Sequence, residues 1–187
     1  MICIKYRLFT MFFIISLLSF TSSGQNVTNS EVNFPKDWVG NWSGKLEIID
    51  VKGLKQSLNM ELHIQPIDGF DHYEWSIIYG DDREKGLKGY ELHAKNPQKG
   101  IWAIDEKNGI ILDCYLLGNK LFSSYNVLER NFLVTYEKRE NELLFEISFG
   151  PESPIAVTGS GKIGEEDIPE VKAYEISGMQ RAILTKN

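Results

Sequence analysis

Cysteine, histidine and proline are all scarce in these 187 residues, at two, three and six copies. Cys3 sits at the N-terminus, leaving Cys114 alone in the body of the chain, so small disulfide-stapled secreted scaffolds are excluded. Long apolar runs are missing too. The longest polar-poor stretch, Leu8–Phe20, has 13 residues, whereas a membrane-spanning helix needs roughly 20. Nor is there an excess of positive charge: 20 Lys and Arg face 26 Asp and Glu, and the cations are scattered. Nucleic acid and anionic membrane surfaces are poor partners for such a chain. Internal repeats, low-complexity tracts and linkers are likewise lacking.

What is present is ordinary globular composition, 42% apolar and 25% charged, which predicts one folded domain. At the N-terminus, Lys5 and Arg7 precede the Leu8–Phe20 run, and Ser22-Ser23-Gly24 supply small residues for signal peptidase. We expect a cleaved secretory signal over 1–24, a flexible polar segment over 25–33 and a single domain over 34–187. Cleavage leaves 163 residues and takes the formal charge from −6 to −8. No cysteine lies at the end of the apolar run, so no lipid anchor is expected, and the run is too short for a membrane anchor. The missing disulfides suggest a bacterial exported protein, periplasmic or secreted.

From about residue 34 the pattern is strand, turn, strand. Leu58, Met60, Leu62 and Ile64 alternate with polar residues, as do Tyr73, Trp75, Ile77 and Tyr79 after an Asp68-Gly69 turn. Asn108-Gly109 is the strongest hairpin signal. Further strands are expected over 42–50, 89–94, 101–105, 110–117, 120–128, 131–137, 142–149, 155–161 and 171–184, with 164–169 an acidic loop or single helical turn. Nearly every connection is short enough to join neighbouring antiparallel strands, which favours an all-β, antiparallel up-and-down barrel of about 8–10 strands over a Greek-key sandwich.

The stretch Trp38-Val39-Gly40-Asn41-Trp42, where the first strand begins, resembles the start of calycin barrels. Lipocalins carry Gly-x-Trp there, and fatty-acid-binding proteins an aromatic-Val-Gly-x-Trp. The resemblance spans residues 34 to 187 and implies a lipocalin-like barrel whose floor is plugged by Trp42, with Arg181 of the last strand lying against the indole. Departures limit what carries over. Only Val51-Lys52-Gly53 stands where fatty-acid-binding proteins place a two-helix lid. Arg181-Ala182-Ile183 lacks the Tyr of their carboxylate grip. No His follows His93, whereas the haem-binding nitrobindin-like barrels use a late His, so no cofactor is expected.

If Trp42 points inward, alternation sends Tyr73, Trp75, Tyr79, Tyr90, Trp102, Tyr136 and Phe145 inward as well, with Tyr125 joining them if its strand has the matching phase. Tyrosine and tryptophan bring polar tips to an apolar wall, which suits a small apolar or aromatic ligand, and these residues are the candidate binding set. They can equally fill the barrel, leaving an interaction or inhibitor module that works through its surface.

Residues 110–117 are apolar on both faces, and Phe122 and Leu128 extend the outer one. The segment around Phe34, or a second copy in a homodimer, would cover it.

Nothing demands an enzyme, although a pocket isomerase or hydrolase using a Tyr or acid stays open. His63, His72 and His93 fall on the outer face beside Glu61, Glu74 and Glu91, as solvated polar residues do, and no metal site is expected. Cys114 lies in an apolar strand without a neighbouring base. Thr158-Gly159-Ser160-Gly161 lacks the strand-turn-helix setting of a nucleophile elbow. The charged run 81–85 should be a solvated rim loop and is a candidate gate.

Overall fold

The computed structural model describes residues 33–187; the signal expected over 1–24, and the polar segment up to residue 32, lie outside them. Alternating apolar residues build nine successive strands: β1 (Gly40–Asp50), β2 (Gly53–Pro66), β3 (His72–Tyr79), β4 (Leu87–Asn96), β5 (Ile101–Asp105), β6 (Ile111–Leu117), β7 (Lys120–Val127), β8 (Arg130–Arg139) and β9 (Glu142–Pro151). Four short strands follow, β10 (Ala156–Thr158), β11 (Gly161–Ile163), β12 (Glu166–Ile168) and β13 (Val171–Ala173), and then β14 (Gly178–Lys186). β1 to β9 and β14 form a closed barrel of ten antiparallel strands, each beside its chain neighbour, with β14 sealing the wall between β9 and β1. This is the all-β up-and-down barrel that the short connections call for.

Two expected strands behave differently. The alternating residues 155–161 do not join the wall; β10 pairs with β13 and β11 with β12, making one hairpin arm between β9 and β14. The stretch 171–184 is accordingly divided, its first part in the arm and its last part in the barrel. Residues 164–169 form the arm's tip and part of β12 instead of a helical turn. The β7–β8 turn also lies earlier than the expected strands over 120–128 and 131–137 imply. Val127 pairs with Arg130, which forces Leu128 and Glu129 into left-handed conformations at φ of 49° and 59°. Such two-residue turns match strand twist but strain residues with a side chain. Leu128 is therefore a turn residue, 89% exposed, and not part of a strand face.

The register defines two ends. At one, here called the floor, β1 begins and β14 finishes, with Trp42 opposite Lys186 and Leu62. The other, the mouth, carries the β1–β2, β3–β4, β5–β6 and β7–β8 turns and the arm. Apolar side chains face in, while ion pairs such as Glu47 with Arg181 and Lys95 with Asp113 decorate the wall. That is the reverse of the apolar-out pattern of a membrane-spanning barrel. No helix among the described residues is long and apolar enough to cross a membrane.

Candidate functional site

The inward side chains divide by height. All four tryptophans collect at the floor, where Trp38, Trp42 and Trp75 are inaccessible or nearly so and Trp102 is 5% exposed. Phe34, entering ahead of a 3-10 turn at Lys36–Trp38, packs edge-on against Trp38 at 4.8 Å and Trp102 at 4.9 Å. Tyr136 meets Trp75 edge-to-face at 5.1 Å and Phe145 at 5.1 Å. Phe34 thus belongs to the floor and does not cover the outside of β6.

Trp42 donates its indole N–H to the carbonyl of Trp38 at 2.8 Å, while the N–H groups of Trp38, Trp75 and Trp102 have no acceptor among the described residues. The cations over the Trp42 ring are Lys138 at 5.2 Å and Lys186 at 5.4 Å. Arg181 is not among them. It lies one residue out of phase with the buried Ala182 and Leu184, so it faces solvent and pairs with Glu47 at 3.2 Å. In place of the expected Trp42–Arg181 pair, Lys138 and Lys186 both lie near the Trp42 ring.

Towards the mouth the packing loosens. Tyr79, Tyr90, Tyr125, Phe132, Ile147 and Phe149 face inward but stay only half-buried. Tyr125 stacks on Phe132 at 5.5 Å, Phe132 on Phe149 at 5.9 Å, and the Arg130 guanidinium lies 5.6 Å from the Phe149 ring. The wall is thinnest beside this group. β6 and β7 pair only at Tyr115–Phe122, Leu116–Leu121 and Leu117–Lys120, and beyond that the Ser123 hydroxyl bridges the seam by donating to the carbonyl of Asp113 at 2.9 Å.

Of the eight candidate binding residues, Trp75, Trp102, Tyr136 and Phe145 therefore pack in the floor and Tyr79, Tyr90 and Tyr125 line the mouth half. Tyr73, at the start of β3, is half-buried near the floor. Phe132, Phe149 and Arg130 complete the mouth lining. The two phenylalanines were legible from alternation; Arg130, one residue past the turn, was not.

Burial pushes the hydroxyls of Tyr79, Tyr90, Tyr125 and Tyr136 above the ordinary tyrosine range. Glu106 at the mouth adds to this at Tyr90 and Tyr125, and Tyr79 feels both of those phenols. Cys114, beneath them, is pushed up to about 11 by burial. These groups converge, and at neutral pH they are uncharged. None is poised as a base or thiolate nucleophile; the phenols can donate hydrogen bonds to an acceptor between them.

Outside the barrel, His72 and His93 stack at 4.7 Å, each with Nε2 3.4 Å from the same Glu91 oxygen. Lys107 holds the Glu91 carboxyl below the ordinary range. No group of three or more His, Cys, Asp or Glu able to hold a metal occurs among the described residues. A groove of about 460 Å3 runs beside a single helical turn, α1 (Arg83–Gly86), and is lined by Lys45, Asn59, Glu61, Asp81 and Arg83. Asn59 bonds Asp81 and Arg83 bonds Glu61, so the expected gate over 81–85 is tied to β2.

No protein-family model matches the chain, and no curated protein matches it either.

Proposed function

We propose that this chain is an exported, calycin-type barrel that binds a small apolar or aromatic molecule in the mouth half of its interior. One observation carries the reading: inward aromatic rings at the mouth stay partly exposed, while the same strands are sealed at the floor. An aromatic wall that water reaches, with phenol donors at its centre, favours a flat ligand with a hydrogen-bond acceptor. The resemblance of Trp38–Trp42 to lipocalin and fatty-acid-binding barrels points the same way. Neither a cofactor nor nucleic acid enters this reading. Native mass spectrometry of the chain purified from its source tests it. A co-purifying small molecule, lost in Tyr90→Ala with Tyr125→Ala, is the expected result; a bare chain counts against it.

A second reading has its own observation. Ile111, Tyr115, Leu117 and Leu133 are exposed on the outer wall of β6 and β8, with Phe122 half-buried between them. A contiguous apolar strip of this kind fits a protein partner, a second copy of the chain being the simplest. Light scattering at high concentration decides: a dimer mass that reverts with Leu117→Ser and Leu133→Ser supports it, and a monomer mass dismisses the second copy.

A further inference from the structure

Cations on the barrel differ by phase. On the outer wall Lys95, Lys120, Arg139 and Arg181 each meet a carboxylate, at distances from 2.6 to 3.5 Å. Arg130 does not. The buried Val134 and Tyr136 fix the inward phase of β8, and the same phase carries Phe132 and then, at the lip of the mouth, Arg130. The contacts of its guanidinium are the Phe149 ring at 5.6 Å and the Ser177 hydroxyl at 3.4 Å. Among the described residues no acid forms an ion pair with it, although Glu129 is its neighbour and the N–H of Glu152 donates to the Glu129 carbonyl.

The ring under Arg130 belongs to a row. Phe149 of β9 stacks on Phe132 of β8, and Phe132 on Tyr125 of β7. An aromatic strip thus runs along the inner wall from a cation at the lip to a phenol. The hydroxyls of Tyr79, Tyr90 and Tyr125 make no hydrogen bond with the described residues, and burial keeps them protonated. A guanidinium has only donors to offer, and it stays charged at every ordinary pH. The acid felt at Tyr90 and Tyr125 is Glu106, on the β5–β6 turn, where its carboxylate accepts the Asn108 amide at 3.2 Å. The β8 side of the lip is left to Arg130.

We propose that the mouth takes an aromatic organic anion, its rings against Phe132 and Phe149 and its carboxylate or sulfonate on the Arg130 guanidinium. This rests on the ligand-binding reading and names the class of molecule that the site takes. The orientation follows from solvation. Arg130 is exposed, so the charged end of the ligand keeps its contact with water while the rings leave it, and no charge is buried. A planar fork of N–H groups also suits a planar carboxylate better than an ammonium would.

Two probes with one skeleton test the charge by itself. 8-Anilinonaphthalene-1-sulfonate is N-phenyl-1-naphthylamine with a sulfonate added, and both are titrated into the full chain by fluorescence. In Arg130→Gln the sulfonate should bind about tenfold more weakly while the neutral probe and the Tm are unchanged, and Arg181→Gln, on the outer wall, should alter neither affinity. Added salt should weaken the sulfonate alone, and the two probes should displace each other. Equal losses of both probes in Arg130→Gln would make the arginine a packing residue over Phe149 and overturn the anion. So would sulfonate binding that survives Arg130→Gln or fails to displace the neutral probe. In each of those cases uptake of the neutral probe leaves the ligand-binding reading standing; uptake of neither probe defeats both.

Discussion

The floor and the mouth of this barrel use the same strands and the same residue types to opposite ends. At the floor, tryptophans from β3, β5 and the segment before β1 interlock around Phe34, Trp42 of β1 bonds the Trp38 carbonyl, and all four are buried. At the mouth, tyrosines and phenylalanines from β3, β4, β7, β8 and β9 face inward but are less completely buried. Aromatic content alone therefore does not say whether an interior is filled; what decides it is the number of elements that contribute side chains at one height. The segment ahead of β1 adds Phe34 and Trp38 to the floor only.

The sharpest way to break that contrast is truncation. Trp75→Ala should cost about 3–5 kcal/mol in urea unfolding, in the range of large core deletions, whereas Tyr90→Ala should cost well under half as much. Equal losses would mean the mouth is packed as firmly as the floor. Gly44 gives the next largest effect. A Cβ there would lie 2.2 Å from the carbonyl oxygen of Ile183, so Gly44→Ala must part β1 from β14 and should cost roughly 1–3 kcal/mol.

Alkaline pH probes both regions together. The buried phenols and Cys114 titrate higher in the folded chain than in the unfolded one, so their neutral forms favour the fold. That contribution is complete below the unfolded values, near pH 9 for the thiol and near 10 for the phenols, and fades as pH rises through the folded ones. The urea midpoint should fall from about pH 9 upward, and Tyr125→Phe should flatten part of the slope. A midpoint constant to pH 11 would contradict the burial.

Smaller effects sharpen the remaining points. Replacing Leu128-Glu129 by Asn-Gly relieves two left-handed residues and should stabilise by about 0.5–1 kcal/mol. Arg181→Ala should shift stability by less than about 1 kcal/mol, as an exposed ion pair does, whereas Lys186→Ala also removes a cation from the Trp42 face.

Much of the fold was legible because period-2 alternation and short turns leave few choices besides a meander. Three features were not. Residues 155–161 alternate like a wall strand, and alternation does not say which sheet a strand joins. Around Arg181 both phases carry apolar residues, Met179 and Ile183 on one and Ala182 and Leu184 on the other, so the inward face is ambiguous until β14 is registered against β1. The grading from sealed floor to looser mouth depends on Phe34 and Trp38 entering from outside the strand pattern. The candidate binding set was legible as an inward set, but its division by height was not.

The most direct test of the central claim compares two tyrosines on neighbouring strands, Tyr125 facing in on β7 and Tyr115 facing out on β6. In fluorescence titrations with N-phenyl-1-naphthylamine, Tyr125→Ala should weaken binding about tenfold, equivalent to about 1.4 kcal/mol, and Tyr115→Ala should leave it unchanged. Loss of binding in Tyr115→Ala with none in Tyr125→Ala would place the probe on the outer wall and contradict an open, ligand-taking mouth.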